Sequence, residues 1–141
     1  MRRNLIATTG ALTGALALAA AMAVPAQAAT SDGDAGIVGC GTTGAYGDMP
    51  YSNYHGPDAK INVKFSLTDT KADGLHVRIR MISKDVRGAI TYWPWRANTL
   101  GQNRTREWTT TAQHDRGLFW IGVQVARVDG SRVVNMCTDW K

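Results

Sequence analysis

The 141-residue chain carries 16 lysines and arginines against 11 aspartates and glutamates, a formal net charge of +5. This length provides for one domain with one core rather than a multidomain assembly. The cations are spread along the chain and form no basic stripe, so nucleic-acid binding is not implied.

The first residues read as an export signal. Arg2 and Arg3 form a basic start, a Leu- and Ala-rich run follows, and Ala26-Gln27-Ala28 is a small-residue cleavage site. Residues 1–28 are therefore expected to be a signal peptide, with the mature chain starting at Ala29. The alternative, a stable membrane anchor, wants roughly 20 strongly apolar residues, and this run is broken by Thr and Gly. The Arg pair also resembles a twin-arginine signal, so the export route stays open. Without the signal, about 113 residues remain with a net charge of about +3. That mild basicity suits loose attraction to an anionic cell wall.

Residues 29–58 are expected to hold a short first strand at 35–40 and a long Gly- and Tyr-rich loop at 41–57. Ile37-Val38-Gly39-Cys40 matches a lipoprotein cleavage box, but polar residues separate it from the apolar run. Cys40 is better used by Cys137, because two cysteines in an exported chain most simply form one disulfide. That bridge closes a loop of about 97 residues, which a chain-entropy treatment values at roughly 4–5 kcal/mol.

Residues 59–141 make the body of the domain. Residues 59–68 alternate, with Ile61, Val63, Phe65 and Leu67 on one face and Lys60, Asn62, Lys64 and Ser66 on the other. Residues 76–82 alternate in the same way, with Val77, Ile79 and Met81 inward and His76, Arg78 and Arg80 outward. The two segments are predicted to pair as a hairpin across the turn at 69–74. A short strand at 89–95 carries Tyr92-Trp93-Pro94-Trp95, and its proline places it at a sheet edge. A polar loop is expected at 96–103 and a further strand at 104–111 around Trp108.

The last hairpin turns at Asp129-Gly130, a pair suited to a two-residue turn. That turn sets Val125 opposite Val134, Val123 opposite Met136, Phe119 opposite Trp140 and Gly122 opposite Cys137. Slipping by one residue would mix the apolar and polar faces. Trp120 is expected to be exposed only if its face is uncovered. No segment of the mature chain sustains a helical period. The fold class predicted is all-β: a small antiparallel, immunoglobulin-like β-sandwich of six to seven strands with one disulfide.

Catalytic sets are absent from the sequence. There is no H-E-x-x-H or paired C-x-x-C for zinc and no G-x-S-x-G for a serine hydrolase. Glu107 is the only glutamate, so a glycosidase pair would need aspartates. Asp48, Asp58, Asp69, Asp73 and Asp115 read as turn residues. A His114-Asp115 dyad and a calcium site of turn aspartates are the rival uses. Neither a metal nor a cofactor is expected.

The aromatic signal is stronger. Alternation puts Trp93 and Trp95 on one strand face, about 7 Å apart, beside Tyr92 and Arg96. Such rings stack on sugars or on a partner's apolar patch; the competing reading is that they fill the core.

The A-x-A signal, the strand-ADG-strand unit from Phe65 to Arg80, the Trp-containing middle and a last hairpin ending in a cysteine resemble small secreted actinobacterial β-sandwich proteins. That group has no settled activity. The resemblance spans nearly the whole chain and implies export and a β fold, and it carries over no site residues. The function expected is that of a secreted, extracellular, non-catalytic binding module for cell-wall or other polysaccharide, using Tyr92, Trp93, Trp95 and Arg96. The alternative is a secreted inhibitor or effector that presents a loop, 41–57 or 96–103, to a partner protein.

Overall fold

The computed structural model describes residues 34–141, so the expected signal peptide lies outside the described residues. Nine strands follow in order: β1 (Asp34–Thr42), β2 (Ala45–Tyr54), β3 (Ile61–Asp69), β4 (His76–Lys84), β5 (Ile90–Tyr92), β6 (Arg96–Asn98), β7 (Thr105–Ala112), β8 (Trp120–Asp129) and β9 (Arg132–Trp140). All pairings are antiparallel. One sheet has the order β1-β2-β3-β7; the other has β5-β4-β8-β9, with β6 also on the β5 edge of β4.

The immunoglobulin-like prediction holds in its strand order. β3 and β4 lie in different sheets, β7 returns to β3, and β8 and β9 add to β4 in turn. This is the crossing pattern of that sandwich. It overturns the predicted hairpin between β3 and β4. Both strands have an apolar face, and opposing those faces across the core buries both sets at once. Ile61, Val63, Phe65 and Leu67 meet Val77, Ile79 and Met81 from β4, with Ile121, Val123 and Val125 from β8.

The long loop predicted at 41–57 is instead mostly β2. Its first core-facing positions, Ala45 and Gly47, are small, and only Met49 and Tyr51 beyond them bring large side chains to the core. A Cβ on Gly47 would stand 2.9 Å from both Ile79 Cδ1 and Val125 Cγ2. The strand must be slim there to pack beneath the second sheet, so its first half lacks the alternating large residues that mark β3 and β4. This strand, together with the division of 89–98 into β5 and β6, raises the count from the expected six or seven to nine.

The Cys40–Cys137 disulfide is present and joins β1 to β9, the neighbouring edges of the two sheets. The register of the last hairpin differs from expectation. The turn is Gly130-Ser131, with Asp129 opposite Arg132 and Gly130 at φ 59°. Glycine at the first central position is the type II′ arrangement. A bulge between Arg127 and Val128 then inserts one extra residue in β9. Cys137 therefore lies opposite Val125, on the core face, and Gly122 lies opposite Trp140. A bridge between sheets needs an inward cysteine, which the expected pairing with Gly122 would not have supplied.

Polar side chains lock the ends of the sandwich. Buried Arg127 pairs with Asp73 and donates to the Thr43 carbonyl at 3.3 Å. Buried Asn98 donates to the carbonyls of Leu67 (2.8 Å) and Arg104 (2.7 Å) and accepts from the Leu100 amide (3.0 Å).

Candidate functional site

Antiparallel partners point to the same side of a sheet, and successive residues to opposite sides. These two rules define the outer face of the second sheet from its register. Since Val77, Ile79 and Met81 face the core, Arg78, Arg80, Ile82 and Lys84 face out. Three rows then cross the sheet. Ile90, Lys84 and Trp120 form the first; Tyr92, Ile82, Gly122 and Trp140 the second; Arg80, Gln124 and Thr138 the third.

Aromatic rings and cations interleave on this face. The Arg80 guanidinium carbon lies 4.3 Å from the centre of the Tyr92 ring and 4.2 Å from that of Trp95. Lys84 Nζ lies 4.6 Å from the Trp140 ring centre and 5.8 Å from that of Trp120. Tyr92 is 54% exposed and Trp120 47%; Trp95 and Trp140 are half-buried. The third row is a hydrogen-bond relay: Arg80 Nε donates to Gln124 Oε1 at 2.8 Å, and Gln124 Nε2 donates to Thr138 Oγ1 at 3.2 Å. Burial pushes the Arg80 guanidinium below its ordinary pKa, with the Tyr92 hydroxyl acting the other way. No carboxylate of these strands falls on this face. Asp139 lies opposite Val123 on the core side, and Asp129 sits at the turn paired with Arg132.

The four residues expected to form the site are divided by the sheet. Tyr92 and Trp95 meet on the outer face around Arg80. Trp93 packs against the core, and its Nε1 donates to Ser83 Oγ at 3.1 Å. Arg96 turns to the inner edge, 5.4 Å from the centre of the Phe65 ring. The cause is local. β5 and β6 both pair with β4, but between Tyr92–Ile82 and Arg96–Ile79 the outer chain has one residue more than β4. Pro94 sits in that bulge, where no ladder donor is needed. The extra residue reverses the alternation, so the two tryptophans face opposite ways.

Trp120, Trp140, Arg80 and Lys84 were not among the expected site residues. Trp140 was expected beside Phe119 on the apolar face, and the β9 bulge moves it over Gly122. The readable signal is in the alternate positions of β8, Gly122, Gln124 and Ala126; in the structure residues 121–128 are all buried. A strand of a two-layer sandwich buried on both faces must be covered on its outer face too, and Gly122, Gln124 and Ala126 are small or polar residues that other side chains overlie.

The rival chemistry does not assemble. The His114 Nδ1 accepts the Arg116 amide at 3.2 Å, which leaves its proton on Nε2 facing Thr91 Oγ1 at 3.1 Å. His114 is thus a turn residue and forms no dyad with Asp115. Among the described residues no three His, Cys, Asp or Glu side chains gather in a way that could hold a metal ion. The first sheet carries an open depression of about 920 Å³ beside Pro50, Ser52, Asn62, Lys64, Thr109 and Thr111, which has no exposed tryptophan.

No family model, curated protein or solved structure matches the chain. A disulfide is compatible with an extracellular location, and among the described residues no helix is long and apolar enough to cross a membrane.

Proposed function

We propose that this protein is an exported, non-catalytic binding module that holds a polysaccharide against the outer face of its second sheet. The observation that carries the reading is the grouping of Tyr92, Trp95, Trp120 and Trp140 on one exposed face, interleaved with Arg80 and Lys84. Sugar rings have apolar C–H faces that stack on aromatic rings and hydroxyl edges that take hydrogen bonds. Aromatic side chains with a few fixed polar groups answer both. The signal-like start and the disulfide support export, in line with the resemblance to secreted actinobacterial proteins.

Native gel electrophoresis through a panel of neutral and acidic polysaccharides tests this reading. The native protein is retarded by at least one polymer, and a Trp95→Ala, Trp120→Ala double variant migrates freely. Equal retardation of the two proteins, or none by any polymer, overturns it.

A second reading is a secreted inhibitor or effector that binds a protein partner. Of its two loops, 41–57 is mostly β2 and 96–103 is shortened by β6 to its last residues, so its support passes to that short connection and to the exposed Val133, Val134 and Met136 of β9. Measurable affinity for a secreted glycosidase or protease, lost on Met136→Asp and not on Trp95→Ala, would favour it.

A further inference from the structure

We propose that the polysaccharide is acidic, a polymer of hexuronate units, and that Arg80 is the residue that reads its carboxylates. This rests on the binding-face reading above and goes further by naming the ligand class. Arg80 is held in a fixed orientation on the outer face. Two rings hold its guanidinium, at 4.3 and 4.2 Å from their centres. Its Nε is committed to Gln124, which is itself braced by Thr138. These contacts fix the plane of the fork. Among the described residues, neither of its two Nη groups has a hydrogen-bond partner and no carboxylate lies within ion-pair distance of it.

Buried Arg127 is matched by the Asp73 carboxylate; Arg80 is instead held by two rings and the Gln124 amide oxygen. A planar fork whose two Nη groups are both free presents its Nη1/Nη2 edge to a carboxylate in two-point geometry. Rigid stacking means little side-chain entropy is lost when the anion arrives.

Lys84 supplies a second unpaired cation on the same face. It lies four residues along β4 from Arg80, roughly 13 Å away at the usual rise per residue. Among the described residues it too has no carboxylate partner, and it sits between the rings of Trp120 and Trp140. The face therefore repeats one theme twice, a cation beside two aromatic rings. A polymer whose every unit carries both a pyranose face and a carboxylate complements that repeat. A polyol phosphate lacks the ring faces. Single-stranded nucleic acid has flat bases and anions, but an exported, disulfide-tied chain with a net charge of only about +3 after signal removal fits it less well.

The test is affinity electrophoresis and titration calorimetry with polygalacturonate, a neutral glucan and oligothymidylate. The expected result is retention by polygalacturonate alone, weakening as salt rises. Arg80→Gln weakens that binding by about 10- to 100-fold, the range for loss of hydrogen bonds to a charged group. Arg80→Lys does not restore it, because a point charge lacks the stacked fork. Thermal melting and an intact disulfide establish that the variants fold. Should Arg80→Gln not fold, Lys84→Gln carries the test, with weaker binding and a shallower salt dependence expected. Retention by the neutral glucan with no effect of Arg80→Gln overturns the acidic ligand and leaves the binding face standing. Retention by oligothymidylate in place of polygalacturonate overturns the ligand class. No retention by any polymer overturns both readings.

Discussion

The Trp140 ring fills the space that a side chain at Gly122 would need: a Cβ there would stand 2.6 Å from Trp140 Cε3 and 2.8 Å from Cδ2. The two residues are register partners on the outer face, and a Cβ would also stand 2.7 Å from the Asp139 carbonyl oxygen, so the glycine serves the ring and the close approach of β9 and not a turn. Gly122→Ala is expected to displace Trp140 and, with it, the Lys84 ammonium. Overpacking of this kind costs about 1–3 kcal/mol. Chemical denaturation measures the loss, and the Trp140 signal in proton NMR shifts in the folded variant. An unchanged indole resonance would show that the ring does not depend on Gly122.

Reduction of the disulfide should weaken the domain severely. The bridge spans 97 residues, and a loop of that length is worth roughly 4–5 kcal/mol through the unfolded state. It also holds the two sheet edges together at β1 and β9. A Cys40→Ser, Cys137→Ser variant is expected to show a much lower denaturation midpoint in urea, and β1 should lose amide-exchange protection before β3 and β4. Loss of protection first in β4 would place the weak point elsewhere.

Asp85 gives stability a defined acid dependence. Its Oδ1 accepts the amides of Arg87 and Ala89, both at 2.9 Å, and its Oδ2 pairs with Arg116 Nε at 2.9 Å. Desolvation pushes its pKa up, but those two amides and the Arg116 and Arg87 charges outweigh it and hold the carboxyl below the usual carboxylate range. The unfolded chain titrates near the ordinary value of about 3.9. A lowered folded pKa means that the carboxylate's contribution is complete above that value and is lost as the pH falls through the folded one. Asp85→Asn should therefore lower the melting temperature at pH 7, and the gap to wild type should close as the pH is taken below about 4. A gap that stays constant across that range would remove Asp85 from the acid response.

Alternation made much of the core legible, because β3 and β4 bury one face fully and a period of two survives in their sequences. The pairing of those strands was not legible. A hairpin and a crossing between sheets demand the same pattern, and only the packing of the whole chain chooses between them. β2 escaped detection because Gly47 must let Ile79 and Val125 approach, which leaves Ala45 and Gly47 before Met49 and breaks the run of large alternating residues that announces a strand. Tyr92 and Trp95 were legible as surface aromatics. Trp120 followed the β8 alternation and its exposure depended only on whether that face is covered, whereas Trp140 was not legible, since its side of the sheet is set by a bulge at the far end of β9. One inserted residue moved Trp140 and Cys137 to the faces opposite those expected.

The other inserted residue, at Pro94, separates two tryptophans that the sequence presents as a pair, and their substitutions should part accordingly. Trp93 packs on the core and hydrogen-bonds Ser83. Trp93 is only partly buried, so Trp93→Ala, which leaves a partial cavity and an unpartnered buried hydroxyl, should lose about 2–3 kcal/mol, at or below the low end for aromatic truncation in cores. Trp95 lies on the outer face and contributes one side of the clamp on Arg80. Trp95→Ala should cost less, about 1–2 kcal/mol for a half-buried ring and its cation–ring contact, while removing most of the binding measured by gel retardation. The same Trp93 variant, assayed under conditions where it remains folded, should bind nearly as well as wild type. The reverse pattern, with Trp93→Ala stable but unable to bind, would place the binding surface on the inner edge of the sheet beside Arg96.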